Sequence, residues 1–221
     1  MEFNNFIGYL TFPSGKVLVS DPCYVKKEGK GIDENQIGRQ SVSFWTLKVK
    51  EADLWQATMV VTDETGGWGM RVMKLRVAVQ GWDDFSSEGS RYYSGAYGAE
   101  RLKQHVATVH NDAGMIMIAD REALNSWGND EYVSPLRAYA DMMNYSGACY
   151  AASDFGGLIG ATDPYERNSL AVVSSSGYGD GQYGVNVWLD SDNDIVAIEV
   201  DYGDDGDDGD GEDEDEDEDD A

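Results

Sequence analysis

Residues 174–202 read SSSGYGDGQYGVNVWLDSDNDIVAIEVDY and decide the fold. They contain a glycine-rich turn, an apolar segment at 183–189, a polar turn and a second apolar segment at 195–202. Two apolar segments on either side of a short polar turn are typical of a β-hairpin. We therefore predict a terminal β-hairpin that the chain enters through a glycine turn.

The rest of the chain repeats this alternation of short apolar segments and polar turns. Further strands are predicted at 6–12, 17–20, 42–50, 55–62, 70–80, 105–110, 115–119 and 170–174. The turn PSGK at 13–16 predicts a hairpin between the first two strands. The alternation of apolar and polar residues in 70–80 slips at Met73 and Lys74, which indicates a β-bulge.

One segment has the pattern of a helix. Ser134 can cap it, Pro135 suits its first position, and apolar residues follow at helical spacing up to residue 145. The expected fold class is mainly β (α+β), with antiparallel sheets in a sandwich- or barrel-like arrangement and one clear helix near 135–145. Residues 1–202 are expected to form a single β-rich globular domain.

The chain is strongly acidic. It carries 42 Asp and Glu against 16 Lys and Arg, a net charge of −26. Fifteen of the acids lie in 201–220, so the first 200 residues still carry −11. Such a surface repels phosphates and anionic membranes, which disfavours direct nucleic-acid or membrane binding and favours a basic protein partner.

Residues 203–221 consist of Asp, Glu and Gly, with a final Ala221. Such a segment cannot bury a core, and we predict that it forms a disordered acidic tail. The tail either competes for basic, nucleic-acid-binding surfaces of a partner or serves only to keep the protein soluble. Composition alone supports both interpretations.

Sequence features also bear on the compartment. Cys23 and Cys149 are too few for a secreted disulfide scaffold, and their spacing is not that of a metal site. The N-terminal residues MEFNNFIGYL lack a basic segment followed by a long apolar run, so no signal peptide is expected. No apolar run approaches the length of a membrane span. We expect a cytoplasmic protein.

The glycine turn GYGDG at 177–181 resembles a phosphate-binding loop only in its glycine content. Phosphate loops open a helix, whereas this one precedes a strand, and Asp180 would repel a phosphate. We interpret it as a tight turn that needs glycine at positive φ, with Asp180 capping local N–H groups. No cofactor is expected.

The polar turn at 190–194 resembles a calcium loop in part. Asp190, Asp192 and Asp194 have the 1-3-5 spacing of calcium ligands. Position 6 should be glycine but is Ile195, and the flanking segments are strands instead of helices. A solvated hairpin turn is the favoured interpretation, and no zinc motif is present.

The segment DPCY at 21–24 follows the second predicted strand and could carry chemistry. Cys23 would be a nucleophile with His105 or His110, the two histidines of the chain, as its base. The neighbouring residues match no nucleophile motif, and free cysteines are commonly buried. A buried Cys23 beside a structural Asp21 is therefore the favoured interpretation.

Four short motifs, in their order and rough spacing, resemble an uncharacterised domain family of bacteria and their phages. They are VSDPCY at 19–24, WGMRV at 68–72, NDAG at 111–114 and SSGYGDGQY at 175–183. The family usually has Ser at the position of Ala113 and Pro at that of Gly184, and the acidic tail is extra. The resemblance implies a phage or bacterial origin and no particular reaction.

Two functions are consistent with these features. The first is a non-enzymatic acidic interaction protein that binds a basic protein, as a nucleic-acid mimic or inhibitor, in the host cytoplasm if a phage encodes it. The second is a small-ligand-binding or hydrolytic domain whose motif residues share one pocket: Asp21, Cys23, Tyr24, Asp112, Tyr178 and Asp180. We expect the first, because the net charge of −11 on the first 200 residues and the acidic tail both favour a basic partner.

Overall fold

The computed structural model of the protein describes residues 2–22, 44–50, 52, 54–64, 69–82, 103–122, 155–159 and 169–203. In this part of the chain, the strands are β1 (Glu2–Leu10), β2 (Lys16–Ser20), β3 (Phe44–Lys48), β4 (Trp55–Glu64), β5 (Gly69–Val79), β6 (Lys103–Asn111), β7 (Met115–Asp120), β8 (Gly156–Leu158), β9 (Ala171–Ser175), β10 (Gly181–Leu189) and β11 (Ile195–Asp201). Each predicted strand is present. The sequence did not indicate β8, because two of its three residues are glycine.

The strands form two antiparallel sheets. The six-stranded sheet has the order β1-β4-β5-β11-β10-β6, and the five-stranded sheet has the order β3-β2-β7-β9-β8. One cluster of buried apolar side chains draws on both sheets, so the sheets pack against each other over a shared core. The mainly β, antiparallel prediction is confirmed. The barrel alternative is wrong, because each sheet ends in two edge strands and does not close.

Several predictions from the sequence fall outside the described residues. These are the helix near 135–145, the positions of Cys23 and Tyr24, and the acidic tail beyond Gly203. Among the described residues there is no helix long and apolar enough to cross a membrane.

The predicted terminal hairpin is confirmed. β10 and β11 pair from Gly184 opposite Asp201 to Leu189 opposite Ile195. The hairpin is not at an edge of the sheet, since β11 also pairs with β5 and β10 also pairs with β6. A central position explains why Val185, Val187 and the apolar residues of β11 after Ile195 are almost fully buried.

The predicted bulge in β5 is also confirmed. Val60 of β4 lies opposite Lys74 and Val61 lies opposite Val72, so Met73 is the additional residue on β5. The bulge corrects the slip in the apolar alternation, because Val72 and Leu75 both point into the core. The basic side chains of β5 then lie on the opposite face of the sheet.

The predicted hairpin between the first two strands is wrong. The turn exists, since the Gly15 N–H donates to the Phe12 carbonyl at 3.0 Å. However, β1 pairs with β4, while β2 pairs with β3 and β7 in the other sheet. β4 is ten residues long and can pair along nearly all of β1, whereas β2 has five residues. The longer ladder supplies more backbone hydrogen bonds and more cross-strand contacts.

Two other turns also carry the chain from one sheet to the other. Residues 112–114 link β6 to β7, and residues 176–180 link β9 to β10. The two turns touch, because the Ser176 N–H donates to the Gly114 carbonyl at 3.0 Å. This end of the molecule therefore collects the motifs that stand out in the sequence.

Candidate functional site

We call this region the motif end. It consists of Asp21 after β2, the turns 112–114 and 176–180, and the ends of the strands of the six-stranded sheet on the same side of the molecule. The antiparallel register brings the last residues of β4 and β11 and the first residues of β1 and β5 to the same end of the six-stranded sheet. Asp21, the turn 112–114 and the turn 176–180 are far apart in sequence but lie together at this end.

Asp21 binds the turn between the two sheets. Its Oδ2 accepts hydrogen bonds from the N–H groups of Asp112 and Ala113, each at 2.8 Å. The side chain is completely buried, and the Ser20 hydroxyl donates to the Asp21 carbonyl at 2.6 Å. A buried carboxylate that accepts two N–H bonds is well stabilised and holds the turn in place. The structure therefore brings Asp21 and Asp112 together, with Asp21 in a structural position.

Asn111 links the same turn to the glycine turn; it lies in the NDAG motif but was not among the candidate pocket residues. Its Nδ2 donates to the Ser176 hydroxyl at 2.7 Å and to the Gly179 carbonyl at 3.0 Å. Its Oδ1 accepts from the N–H groups of Ala113 at 3.1 Å and Met115 at 3.2 Å. All donor and acceptor positions of this buried amide are used. An asparagine beside Asp112 looks like ordinary turn chemistry, so only the tertiary contacts identify it.

Glycine is required at residue 177 for steric reasons. A Cβ there would collide with the carbonyl oxygen of Val72, because the turn passes directly over β5. Gly179 has φ of 90°, and its carbonyl accepts hydrogen bonds from the hydroxyls of Ser176 at 2.6 Å and Tyr183 at 2.8 Å. The glycine content therefore serves close packing and the turn conformation. The Asp180 side chain is exposed, and no hydrogen bond to it is seen within the described residues.

Tyr178 leaves this turn in a different direction. Its hydroxyl donates to Oε1 of Glu64 at 2.7 Å, and the guanidinium of Arg71 lies 4.9 Å from the centre of its ring. Arg71 also donates from Nη1 to the Gly177 carbonyl. These partners belong to β4 and β5, which are separated from β6 by β10 and β11. Tyr178 thus lies beside β4 and β5, whereas Asp112 follows β6, on the far side of β10 and β11.

His110 pairs with Asp112 at the edge of the motif end. Nε2 of His110 lies 2.8 Å from Oδ1 of Asp112, while Nδ1 is buried and has no hydrogen-bond partner among the described residues. Nε2 is therefore engaged by Asp112, and Nδ1 is shielded from solvent. His105 is exposed on the same face of the sheet, beside Gly184. This orientation leaves His110 poorly placed to act as a base toward an external substrate.

The three aspartates of the turn 190–194 do not converge. Oδ1 of Asp190 accepts the N–H groups of Asp192 at 3.0 Å and Asp194 at 3.1 Å, and Oδ2 forms an ion pair with Lys50. Asp192 is exposed, whereas the Asp190 carboxylate points inward. In the described residues there is no cluster of three or more His, Cys, Asp or Glu that could hold a metal ion.

The ion pair with Lys50 sets the titration of Asp190. Burial raises the pKa of the Asp190 carboxyl, but the hydrogen bonds from Lys50 and from the N–H groups of Asp194 and Asp192 outweigh it and hold this pKa below its ordinary value. The pKa of Lys50 is raised, mainly because its ammonium donates to Asp190. Both groups are therefore charged at neutral pH, which favours a role in holding the β10–β11 turn against Lys50.

Cross-strand ion pairs neutralise the bases of β5. Lys74 lies 2.6 Å from Asp201, its cross-strand neighbour on β11, and Arg76 lies 2.7 Å from Glu199 in the same way. The Glu199 side chain is almost fully buried. The positive charges of this strand are therefore already matched by acids of the same sheet and add little to the surface potential.

Tyr202 anchors the end of the described chain. It is completely buried, its hydroxyl lies 2.9 Å from that of Ser174, and its ring packs edge-to-face on Tyr183 with the centroids 5.1 Å apart. Its N–H donates to the Met73 carbonyl at 2.8 Å. Burial raises the pKa of the Tyr202 hydroxyl far above its ordinary value, so it stays neutral. The acidic residues that follow begin from a fixed point at the motif end.

Further acidic side chains lie at the motif end, along the width of the six-stranded sheet. They come from the ends of the strands that meet there and from the two turns: Glu2, Asp63, Glu64, Asp112, Asp180 and Asp201. The lysine and arginine side chains of the described residues at this end are Arg71 and Lys74, which pair with Glu64 and with Asp201. The motif end consequently has a surplus of negative charge even without the residues beyond Gly203.

Comparison with known proteins gives a family and no activity. A family model described as "Protein of unknown function (DUF4241)" matches residues 10–200. The match begins at the last residue of β1 and ends one residue before the end of β11, so it contains β2 to β10 completely. No curated protein and no solved structure matches the chain.

Proposed function

The chain belongs to this family of unknown function, and we propose that it is a non-enzymatic acidic interaction protein that binds a basic protein partner. The proposal includes a bacterial or phage origin and action in the cytoplasm of the bacterial cell. In its most specific form, the acidic tail and the motif end together imitate the charge of a nucleic acid and occupy the basic surface of the partner.

One observation supports the proposal: the buried Tyr202, which comes just before the proposed acidic tail in sequence, lies at the acidic motif end. Fifteen acidic residues lie between 201 and 220, and they begin beside a surface on which Arg71 and Lys74 are already paired. An acidic surface on the folded domain and a polyanionic segment that follows directly after Gly203 in sequence would reinforce each other electrostatically. Their combined field favours encounter with a cationic protein.

The test measures binding of a fluorescent arginine homopeptide by anisotropy over a range of salt concentrations. Three proteins are compared: the full chain, a chain that ends after Gly203, and a full-length chain whose acids beyond residue 203 are replaced by Asn and Gln. We expect both variants to bind at least about tenfold more weakly at low salt and to show a shallower salt dependence. Equal affinities for all three proteins would refute a role for the tail.

The mimic form of the proposal has its own test. A short DNA duplex and the full chain should compete for the same labelled arginine peptide, and the full chain should displace the duplex at low salt. Displacement by the chain that ends after Gly203 should require a higher concentration. Failure of the full chain to displace the duplex would leave an acidic binding protein that is not a nucleic-acid mimic.

One contact favours the second function, a ligand-binding or hydrolytic site around Asp21, Cys23 and Asp180. This is the pair of His110 and Asp112, which lies next to the turn that Asp21 holds. Against it, Asp21 is fully buried and its Oδ2 is taken up by backbone N–H groups. A Cys23→Ser variant in which both peptide binding and any hydrolytic activity are unchanged would remove Cys23 as a nucleophile.

A further inference from the structure

The first residues of β1 form an open edge of the six-stranded sheet. β1 is the outermost strand and pairs with β4 on one side. On the other side, no described strand pairs with the residues from Glu2 to Asn5, and a bridge follows only further along, between Leu10 and Ser169. Glu2 to Asn5 are all exposed. An exposed edge strand presents backbone groups that can pair with another chain.

A contact of Met73 establishes which backbone groups point to this edge. The Tyr202 N–H donates to the Met73 carbonyl at 2.8 Å, so Met73 faces β11. Consecutive residues of a strand direct their N–H and carbonyl groups to opposite sides, so Lys74 faces β4. Val60 lies opposite Lys74 and bonds to β5. The next residue, Val61, therefore directs its N–H and carbonyl to β1.

The same alternation continues on β1. Phe3 lies opposite Val61, so its N–H and carbonyl bond to β4. Its neighbours Glu2 and Asn4 direct their N–H and carbonyl groups to the other side, away from β4. We call these groups of Glu2 and Asn4 the open edge of β1.

The other edge strands are protected in ways that β1 is not. β8 has three residues, β3 has five and includes Lys48, and β6 begins with Lys103. Short length and lysine both discourage pairing with a further chain. The nine residues of β1, EFNNFIGYL, include no lysine, arginine or proline. Its register shift comes later, between Phe6 and Gly8, so the ladder beside the open edge is regular.

The side chains beside the open edge specify the segment that fits. Phe3 lies opposite the buried Val61 and on the same face of the sheet, whereas Glu2 and Asn4 lie on the face away from the core. An added strand would place one residue beside the Glu2 carboxylate and the next beside the Phe3 ring. Because opposite charges and apolar pairs stabilise neighbouring strands, the matching segment is extended and alternates basic and apolar residues.

Charge distinguishes a basic partner from a second copy of this chain. Glu64 lies on the same face as Glu2, two positions along β4 from Thr62, the residue opposite Glu2. A second copy would bring a net charge of −26, and its own β1 contains no basic residue to place beside Glu2. A basic extended segment supplies both the backbone groups and the counter-charge.

We infer that the open edge of β1 binds an extended segment of the partner protein, in which basic residues alternate with apolar ones, as an additional antiparallel strand. The basic character of this segment rests on the proposed function, and the strand pairing is a contact beyond it. Antiparallel pairing is the more stable arrangement per residue and is that of the neighbouring β1–β4 ladder. The backbone bonds supply affinity, and the alternate side chains supply selectivity.

The experiment measures the binding of three labelled peptides to the full chain by anisotropy. Each peptide alternates arginine and valine and carries the same charge. One is unmodified, one is N-methylated at its arginines, and one is N-methylated at its valines. In the inferred pairing the arginines lie opposite Glu2 and Asn4, so their N–H groups donate to β1 while those of the valines point away. Methylation of the arginine nitrogens alone removes the new hydrogen bonds.

We expect the full chain to bind the unmodified and the valine-methylated peptides alike and the arginine-methylated peptide about tenfold more weakly. Equal binding of all three overturns the inference and, where it depends on salt, leaves the proposed function standing. If no peptide binds in a salt-dependent manner, the proposed function itself fails. A preference against the arginine-methylated peptide that persists at high salt supports the strand pairing in either case.

Two variants at one position provide the matched control. Asn4→Pro removes an N–H from the open edge, and proline is tolerated where the N–H makes no bond to the neighbouring strand. Asn4→Ala keeps this N–H and removes only the side chain. We expect Asn4→Pro to lose most of the difference between the peptides and Asn4→Ala to keep it.

Thermal melting verifies that both variants are folded. Retention of the full difference in a folded Asn4→Pro protein contradicts the inference. If Asn4→Pro melts well below the native chain, the three peptides on the native chain decide alone. A dimer in sedimentation that Asn4→Pro abolishes would assign the open edge to a second copy and also overturn the inference.

Discussion

The carboxylate of Asp21 and the backbone N–H of Asp112 are 2.8 Å apart, although the two residues are separated by 91 positions in the chain. The same oxygen also accepts the N–H of Ala113. Asp21 is completely buried, and the N–H groups of the turn supply two hydrogen bonds to its carboxylate. This contact ties the end of β2 to the corner where the chain crosses from β6 to β7.

Replacing Asp21 should destabilise the fold without the loss of any surface charge. Asp21→Ala removes the shared acceptor of two partly buried N–H groups, of which that of Ala113 keeps only its longer bond to Asn111, and we expect a loss of about 3 kcal/mol in the free energy of unfolding. Asp21→Asn keeps one acceptor oxygen but no charge and should lose about half as much. Urea denaturation measures both values. If Asp21→Ala is as stable as the native chain, the carboxylate has another purpose.

Gly177→Ala should be strongly destabilising because the new methyl group would collide with the carbonyl oxygen of Val72 on β5. Gly184→Ala is the control, since a methyl group there lies at an ordinary distance of 3.5 Å from the His105 ring. We expect the first change to lower stability by about 3 kcal/mol or more and the second by less than about 1 kcal/mol. Thermal unfolding monitored by circular dichroism compares the two. Similar melting temperatures would contradict the steric argument.

Asn111→Ala should cost about as much as Asp21→Ala, because it removes the side chain that joins the two cross-sheet turns. The Ser176 hydroxyl would lose a donor, and the N–H groups of Ala113 and Met115 would lose an acceptor. We expect about 3 kcal/mol of destabilisation. The double variant with Asp21→Ala should be less destabilised than the sum of the single changes, since both residues hold the same turn. Simple additivity in urea denaturation would show that they act independently.

The ion pair of Lys50 and Asp190 predicts a dependence of stability on pH. The pKa of Asp190 is below its ordinary value of 3.8 in the folded protein, so its contribution is complete above that value and is lost as the pH falls through the folded pKa. The pKa of Lys50 is above 10.5, so its contribution is complete below that value and is lost as the pH rises through the folded pKa. Asp190→Asn should therefore flatten the stability profile at the acidic end.

The measurement for this prediction is the melting temperature of native and Asp190→Asn proteins between acidic and neutral pH. At neutral pH the variant should be less stable by about 1–3 kcal/mol, because hydrogen bonds to charged groups contribute that much. The difference between the two proteins should shrink as the pH falls. Asp192→Asn is the control, because Asp192 is exposed in the same turn and its replacement leaves the ion pair of Lys50 with Asp190 in place. A constant difference at every pH would contradict the assignment.

The local features of the fold were accessible from the sequence. The bulge at Met73 shows as a break in the apolar alternation, and the β10–β11 hairpin shows as two apolar segments around a polar turn. Both depend on neighbouring residues along the chain, so periodicity and turn composition contain them. The glycine turn was predicted to serve the backbone and not a phosphate, and the close approach of Gly177 to β5 agrees with that.

The site was less accessible, as two neighbours in sequence illustrate. Asp112 was taken as a candidate pocket residue, yet its backbone N–H makes the contact with Asp21 while its side chain turns to His110. Asn111 lies in the same NDAG motif and was not taken as a candidate, although it makes four hydrogen bonds between two turns. Residue type alone does not say whether a polar side chain will be buried or what it will meet there.

By itself the sequence determined the approximate positions of every described strand except β8, the turns between them and the surplus of acidic residues. Each of these follows from composition or short-range periodicity. The tertiary structure decided which sheet each strand joins, and so why the turn after β1 is a crossing between sheets and not a hairpin. It also decided that Asp21, Asn111 and Gly177 meet at one end. The physical reason is that strand pairing and burial are settled between segments far apart in the chain, where the longer ladder and the shared core outweigh what any single turn prefers.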